Sequence, residues 1–137
     1  MRAGAMLVVF MFGSAAFAVE APEELKPLDL KDVAIVQPKE GDVTKPAEIK
    51  SAEELAKSPL FGAGAADKLA KHVDFAKQKL VVFAWSGSGQ DKLAGEFTTG
   101  KGPLARFGYT PGKTRDLRQH FVVFVVDKKA EVWAPKK

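Results

Sequence analysis

The sequence predicts an α+β fold, in which two short N-terminal helices pack on a four- to six-stranded antiparallel meander sheet. Three observations lead to this prediction. Two helix-like segments precede residue 79, two unbroken runs of six apolar residues lie beyond it, and short polar connections separate the strand-like segments.

The first residues have the pattern of a secretory signal peptide. Arg2 precedes an apolar stretch, and residues 16–18 (AFA) offer the small-x-small pattern that signal peptidase cleaves. The stretch is shorter than the ~20 apolar residues of a membrane span. We therefore expect residues 1–18 to be removed, leaving Val19 as the first residue of an exported protein, periplasmic or extracellular, with no stable membrane span.

Residues 19–46 have the composition of a leader or linker. They hold four of the eight prolines, many charges and one compact apolar run at residues 33–36. Such a segment is predicted to be mostly extended and to add at most one edge strand. A single α+β domain is expected over residues 47–137, with ordered structure beginning near Ala47.

Two short helices are predicted at the start of that domain. Ser51 and Glu54 form a capping box, in which each side chain bonds the backbone amide of the other residue. Pro59 ends this helix, because the residue before a proline is driven out of the α region. A second helix is expected over residues 65–73, where an apolar residue recurs at every fourth position.

The remaining segments are strand-like. Residues 80–85 (LVVFAW) and 121–126 (FVVFVV) are continuous β-branched and aromatic runs, which predicts central strands that are covered on both faces. Weaker strands are expected at residues 92–97, 104–109 and 130–133. In a meander of these strands, alternate connections lie at the same end, so the loops at residues 86–91 and 110–120 should meet there.

This loop end is the candidate binding site. Two arginines three residues apart can hold a carboxylate or a sulfate through charge-assisted hydrogen bonds. The alternative is an internal network, in which Asp91 or Asp116 pairs with an arginine and holds the loops together. The candidate binding residues are Ser86, Gly87, Ser88, Gln90, Asp91, Lys113, Arg115, Asp116, Arg118 and His120.

The sequence motifs do not indicate a site for a nucleotide, a metal ion or a cofactor. Residues 95–101 match G-x-x-x-x-G-K, but Gly102 replaces the magnesium-binding Ser or Thr, and Pro103 prevents the helix that would hold phosphates. Neither His72 nor His120 belongs to a cluster with metal-ligand spacing, and the chain has no cysteine. No cofactor or metal is therefore expected.

An enzymatic alternative is a small secreted serine hydrolase that uses Ser88 or Ser86 with His120. The serines follow a strong strand, where a nucleophile elbow lies. The sequence departs from the elbow pattern because Ser86 replaces its first glycine, and because the following segment is strand-like rather than helical.

The charge distribution bears on partners. The chain has 21 basic and 17 acidic side chains, and 14 of the basic side chains lie in residues 59–137 against 7 acidic ones. An excess of positive charge attracts anionic polymers of a cell envelope, or serves solubility alone. Nucleic acid is not expected, because no aromatic stripe alternates with arginine.

The order of these elements also resembles a known family. Residues 51–55 (SAEEL), 73–75 (VDF) and 79–83 (KLVVF), followed by a Gly-rich loop, resemble the C-terminal domain family of the protease-complex subunit found in exported bacterial proteins. The resemblance covers roughly residues 47–126. It implies an exported, non-catalytic, β-rich module that associates with other proteins, proteases among them. The family's Gly-Gly-Tyr loop element is replaced here by Gly-Ser-Gly-Gln-Asp at residues 87–91.

Overall fold

The structure, a computed structural model, describes residues 22–39 and 41–136. Within them, the chain forms seven strands and two short helices. The elements in chain order are β1 (Glu23–Leu25), β2 (Ala47–Ile49), α1 (Ala52–Lys57), α2 (Ala65–Ala70), β3 (Gln78–Ser88), β4 (Lys92–Thr98), β5 (Leu104–Thr110), β6 (Leu117–Asp127) and β7 (Glu131–Trp133).

The strands form two sheets, so the predicted fold class is wrong. One sheet has the order β2-β3-β6 and is antiparallel, whereas the other has the order β1-β4-β5-β7, with β5 and β7 parallel. The described chain is therefore mostly β, and its two six-residue helices lie in the middle of the chain rather than at the start of an α+β domain. No single antiparallel meander exists among these strands.

The apolar pattern explains why β3 pairs with β6 rather than with its neighbour β4. Both strands are apolar on both faces, and only a middle layer buries both faces of a strand. Phe83 and Phe124 face the second sheet, where the Phe83 ring centroid lies 4.8 Å from that of Phe107. Leu80 and Val123 face the opposite side and are covered by the helices. Because β4 and β5 alternate in burial, they suit an outer layer.

The two predicted helices are present. Ser51 caps α1, its hydroxyl oxygen accepting from the Glu54 amide at 3.1 Å. The Glu54 carboxylate accepts from the amide of Lys50 at 3.0 Å, one residue before the expected partner. Each helix buries a leucine, Leu55 or Leu69, against the β2-β3-β6 sheet. Neither described helix is long and apolar enough to cross a membrane.

The segment interpreted as a leader is part of the fold where it is described. β1 pairs antiparallel with β4 and forms an edge of its sheet. Val43 is fully buried in the core between the sheets. The amide of Leu28 donates to the carbonyl oxygen of Val123 at 2.8 Å, so the segment also contacts the open edge of β6. Ordered structure therefore begins well before Ala47. The predicted signal peptide lies outside the described residues.

Candidate functional site

The two loops predicted to meet do lie side by side, although by a different route from a meander. β3 and β6 pair without a break, so that Ser88 lies opposite Leu117 and Trp85 opposite His120. The chain then crosses to the other sheet after Ser88 and returns before Leu117. Residues 86–88 and 117–120, expected in loops, are strand residues of this pair. We call residues 86–91 and 110–120 together the ribbon end.

The carboxylate of Asp91 joins the two sheets at the ribbon end. One of its oxygens accepts from the indole nitrogen of Trp85 at 3.1 Å and from the hydroxyl of Tyr109 at 2.8 Å. The other accepts from the amide of Gly112 at 2.7 Å. Asp91 therefore holds the loops together, although not by the arginine pairing that the structural alternative named. Its hydrogen-bond partners are an indole, a phenol and a backbone amide, however, and not an arginine.

Ser88 and His120 form a second set of contacts. The Ser88 hydroxyl hydrogen-bonds the Thr114 hydroxyl and accepts from the amide of Gln90 at 3.1 Å. The imidazole of His120 stacks on Trp85, with ring centroids 4.7 Å apart, and its Nε2 lies 2.8 Å from the Ser88 carbonyl oxygen. Because a carbonyl oxygen can only accept a hydrogen bond, this nitrogen carries a hydrogen and is the donor of the bond. Within the described residues, no hydrogen bond joins His120 to either serine hydroxyl.

Charged side chains surround this network. Asp116 accepts from the Gly89 amide at 3.2 Å and from Nε of Arg118 at 3.0 Å. Lys113 and Arg115 are both exposed, and neither takes part in an ion pair within residues 22–39 and 41–136. The ribbon end thus presents two cations whose charge is not neutralised by a neighbouring described carboxylate.

The glycines of the ribbon end allow its two segments to come this close. A Cβ atom on Gly87 or Gly89 would collide with the carboxylate of Asp91 or Asp116. A Cβ atom on Gly112 would lie 2.6 Å from the backbone carbonyl carbon of Gln90. The Gly-Ser composition therefore serves close packing, and the ribbon end is held in one arrangement.

We expect Gly112→Ala to lower the free energy of unfolding by about 1–3 kcal/mol, because the added methyl group must push the two loops apart. Gly100→Ala is the matched control, since a Cβ atom there meets nothing within 4 Å. Denaturant unfolding of both variants measures the effect. Equal stability of the two variants would show that the loops separate without cost.

Two carboxyl groups and one phenol have shifted pKa values. Desolvation raises the pKa of Asp91, but the hydrogen bonds from Gly112, Tyr109 and Trp85, with the charge of His120, outweigh it and lower the pKa overall. Burial and then the Asp91 carboxylate raise the pKa of Tyr109 to about 12, so the phenol stays a donor. Hydrogen bonds, from Thr114 first and then Arg118, lower the pKa of Asp116 to about 2.

These shifts predict a stability that depends on pH. A carboxyl whose pKa is lower in the folded than in the unfolded chain stabilises the fold fully above the unfolded pKa, and this contribution disappears as the pH falls through the folded pKa. Asp91 has an ordinary pKa of 3.8. We expect unfolding midpoints measured in acid to fall as the pH drops below that value, and to fall less steeply in Asp91→Asn. Parallel curves for the two proteins would contradict the assignment.

A shallow cleft lies beside the charged side chains. It measures about 440 Å³ and is lined by Gly89, Gln90, Thr114, Asp116, Arg118, Gln119 and His120. A larger one, about 690 Å³, crosses the outer face of the other sheet above Ala94 and Gly108. Its charged groups include Glu96 and Arg106, which pair with one another. Arg118 of the smaller cleft is likewise paired with Asp116. The ribbon end is nevertheless the better candidate because Lys113 and Arg115, on either side of the lining residue Thr114, have no ion-pair partner among the described residues.

Sequence reasoning missed several residues of this site. Trp85, Tyr109, Thr114 and Gly112 supply the partners of Asp91 and Ser88, yet none of them was among the candidates. The available signal was Asp91 itself, a carboxylate placed directly after a turn beside a predicted buried strand. Within the described residues, no group of three or more His, Cys, Asp and Glu side chains could hold a metal ion.

Comparison of the chain with protein-family models, with curated proteins and with solved structures finds no match. The resemblance to the protease-complex-subunit domain family therefore stays a prediction. What the chain does has to be inferred from the ribbon end itself.

Proposed function

We propose that the protein is an exported, non-catalytic binding module of the cell envelope that recognises an anionic group on a protein partner through the ribbon end. The observation that carries the proposal is the pair of exposed cations, Lys113 and Arg115. They lie on a loop that Asp91, Ser88 and Asp116 fasten to the facing turn. A protease is among the candidate partners, as the family resemblance implies.

The rigidity of this loop supports recognition. Binding costs less when the contacting loop is already ordered, because less conformational entropy is lost on association. Charges that remain exposed also steer a partner of opposite sign and raise the association rate. A carboxylate or sulfate group, on a protein or on an anionic envelope polymer, has the matching chemistry.

The hydrolase alternative has less support from the side-chain geometry. Its base, His120, donates from Nε2 to the Ser88 carbonyl oxygen and stacks with its ring on Trp85. A general base must instead reach the hydroxyl proton of its nucleophile. Stoichiometric labelling of Ser88 or Ser86 by a fluorophosphonate, lost in His120→Ala, would favour the hydrolase over the binding module.

The test is affinity capture from the envelope fraction of the source cell. We expect full-chain protein to retain partners that Lys113→Glu/Arg115→Glu fails to retain, because the reversed charges repel an acidic group. The control is Lys128→Glu/Lys129→Glu, which changes the same charge at exposed positions next to the opposite end of β6. Capture that is identical for all three proteins would refute recognition by the ribbon end.

A further inference from the structure

The outer edge of β6 at the ribbon end has backbone groups available for pairing. In an antiparallel ladder, alternate residues direct both their amide and their carbonyl groups away from the partner strand. The bond from the Leu28 amide to the Val123 carbonyl oxygen shows that Val123 is one of the outward residues. The register with β3 is unbroken, so Phe121, Gln119 and Leu117 point outward as well.

A second observation agrees with this alternation. The side-chain amide of Gln37 lies 3.1 Å from the His120 carbonyl oxygen and 3.4 Å from that of Trp85. One donor reaches both oxygens because the carbonyl groups of Trp85 and His120 both project into the gap between β3 and β6. The neighbours of His120 in β6, Gln119 and Phe121, therefore direct their backbone amide and carbonyl groups toward the open edge.

No backbone hydrogen bond of the described residues covers this edge at Leu117, Gln119 or Phe121, beyond the point where Leu28 binds. Leu117 is also 79% exposed, the highest value among the large exposed hydrophobic residues described. Proteins commonly protect such an edge with a proline, a bulge or a covering segment, because an open edge accepts another strand. Residues 117–121 contain no proline, and their register shows no bulge.

From this geometry we infer that an extended acidic peptide of a protein partner adds to the β2-β3-β6 sheet as a new strand beside residues 117–121. The inference rests on the proposed function and names its partner. Main-chain hydrogen bonds supply affinity in this mode of recognition, and alternate side chains supply specificity.

The side chains on the two faces of β6 determine which peptide sequence fits beside it. Side chains alternate along a strand, so Leu117 lies on one face, while Arg118 and His120 lie on the other. Arg118 binds Asp116 through its Nε, and among the described residues its terminal guanidinium nitrogens have no partner, so they can bind a second carboxylate. The peptide that fits alternates apolar residues, beside Leu117, with acidic residues, beside Arg118.

A second copy of this chain fits less well. Two β6 edges paired around a two-fold axis would bring Arg118 of one copy close to Arg118 of the other. Like charges that face each other across strands destabilise the pairing. An acidic peptide instead meets opposite charge, and Lys113 and Arg115 add to the attraction from the neighbouring loop.

The probe is a short synthetic peptide in which valine and glutamate alternate, titrated into the full-chain protein and followed by amide NMR. We expect the amides of Leu117, Gln119 and Phe121 to become protected from hydrogen exchange at saturation. N-methylation of alternate peptide amides, on the edge that faces β6, should abolish binding. Gln119→Pro should weaken binding roughly tenfold, because it removes one outward donor, whereas Gln119→Ala keeps that donor and should weaken binding much less.

The outcomes separate this inference from the proposed function. Peptide binding that is lost in Lys113→Glu/Arg115→Glu supports anion recognition. If that binding is also insensitive to N-methylation and does not protect the three amides, strand addition is overturned and anion recognition is left intact. Binding that ignores both the charges and N-methylation would overturn both. The wild-type protection and N-methylation results decide the matter even if Gln119→Pro does not fold. Dimerisation through residues 117–121 without peptide would also contradict the inference.

Discussion

Replacing Phe83 or Phe124 with alanine should lower the free energy of unfolding by about 3–5 kcal/mol, the usual cost of a large cavity in a core. Phe83 is fully buried and Phe124 is 1% exposed, and their rings lie 5.9 Å apart edge to face. Both also contact Phe107 of the second sheet, so truncation removes packing between the layers. Denaturant unfolding monitored by circular dichroism measures the loss.

Leu117→Ala is the control for this pair, because it removes an apolar side chain that is 79% exposed. It should change stability by less than about 0.5 kcal/mol, as surface substitutions usually do. A loss below about 1 kcal/mol at both phenylalanines would show that the contact between the sheets is not the main source of stability.

Asp91→Ala should cost about 2–4 kcal/mol, because it leaves the Trp85 indole, the Tyr109 hydroxyl and the Gly112 amide without their acceptor. Trp85 is only 2% exposed, so water reaches its indole nitrogen poorly. The same unfolding assay applies.

Asp116→Ala is the matched carboxylate control. Asp116 is exposed and bonds an exposed arginine and a turn amide, so its removal should cost much less than that of Asp91. If the two variants lost similar stability, Asp91 would not be the residue that holds the loops together.

Local features of the fold could be predicted from the sequence. The Ser51 capping box and the periodicity of residues 65–73 gave both helices, although the second ends at Ala70 rather than Val73. All five strands expected after residue 79 are present, two of them longer than their apolar runs, because pairing of β3 with β6 continues into polar residues.

The pairing of those strands was predicted wrongly, for a physical reason. Proximity in sequence favours a meander, but residues 80–85 and 121–126 must both be covered on two faces. Only a middle layer satisfies both runs, and in the structure they lie side by side there while the alternating strands between them form the opposing sheet. The unbroken runs already contained this information, whereas the β1 edge strand, in a segment rich in proline and charge, had no comparable apolar signal.

The sequence predicted where the candidate site lies better than it predicted which side chains contact one another there. Residues 86–91 and 110–120 meet as expected, because β3 ends and β6 begins at the same edge of the molecule. The role of Asp91 depends on Trp85 and Tyr109, which come from two different sheets. No spacing along the chain shows that such side chains converge.

We propose that the cations of the ribbon end serve recognition rather than stability. Denaturant unfolding of Lys113→Ala/Arg115→Ala tests it most directly, because both side chains are exposed and Asp91 already fastens the loops without them. We expect an unfolding midpoint and slope close to those of the wild type, in a variant that no longer captures envelope partners. A loss of stability as large as that of Asp91→Ala, with capture unchanged, would contradict it.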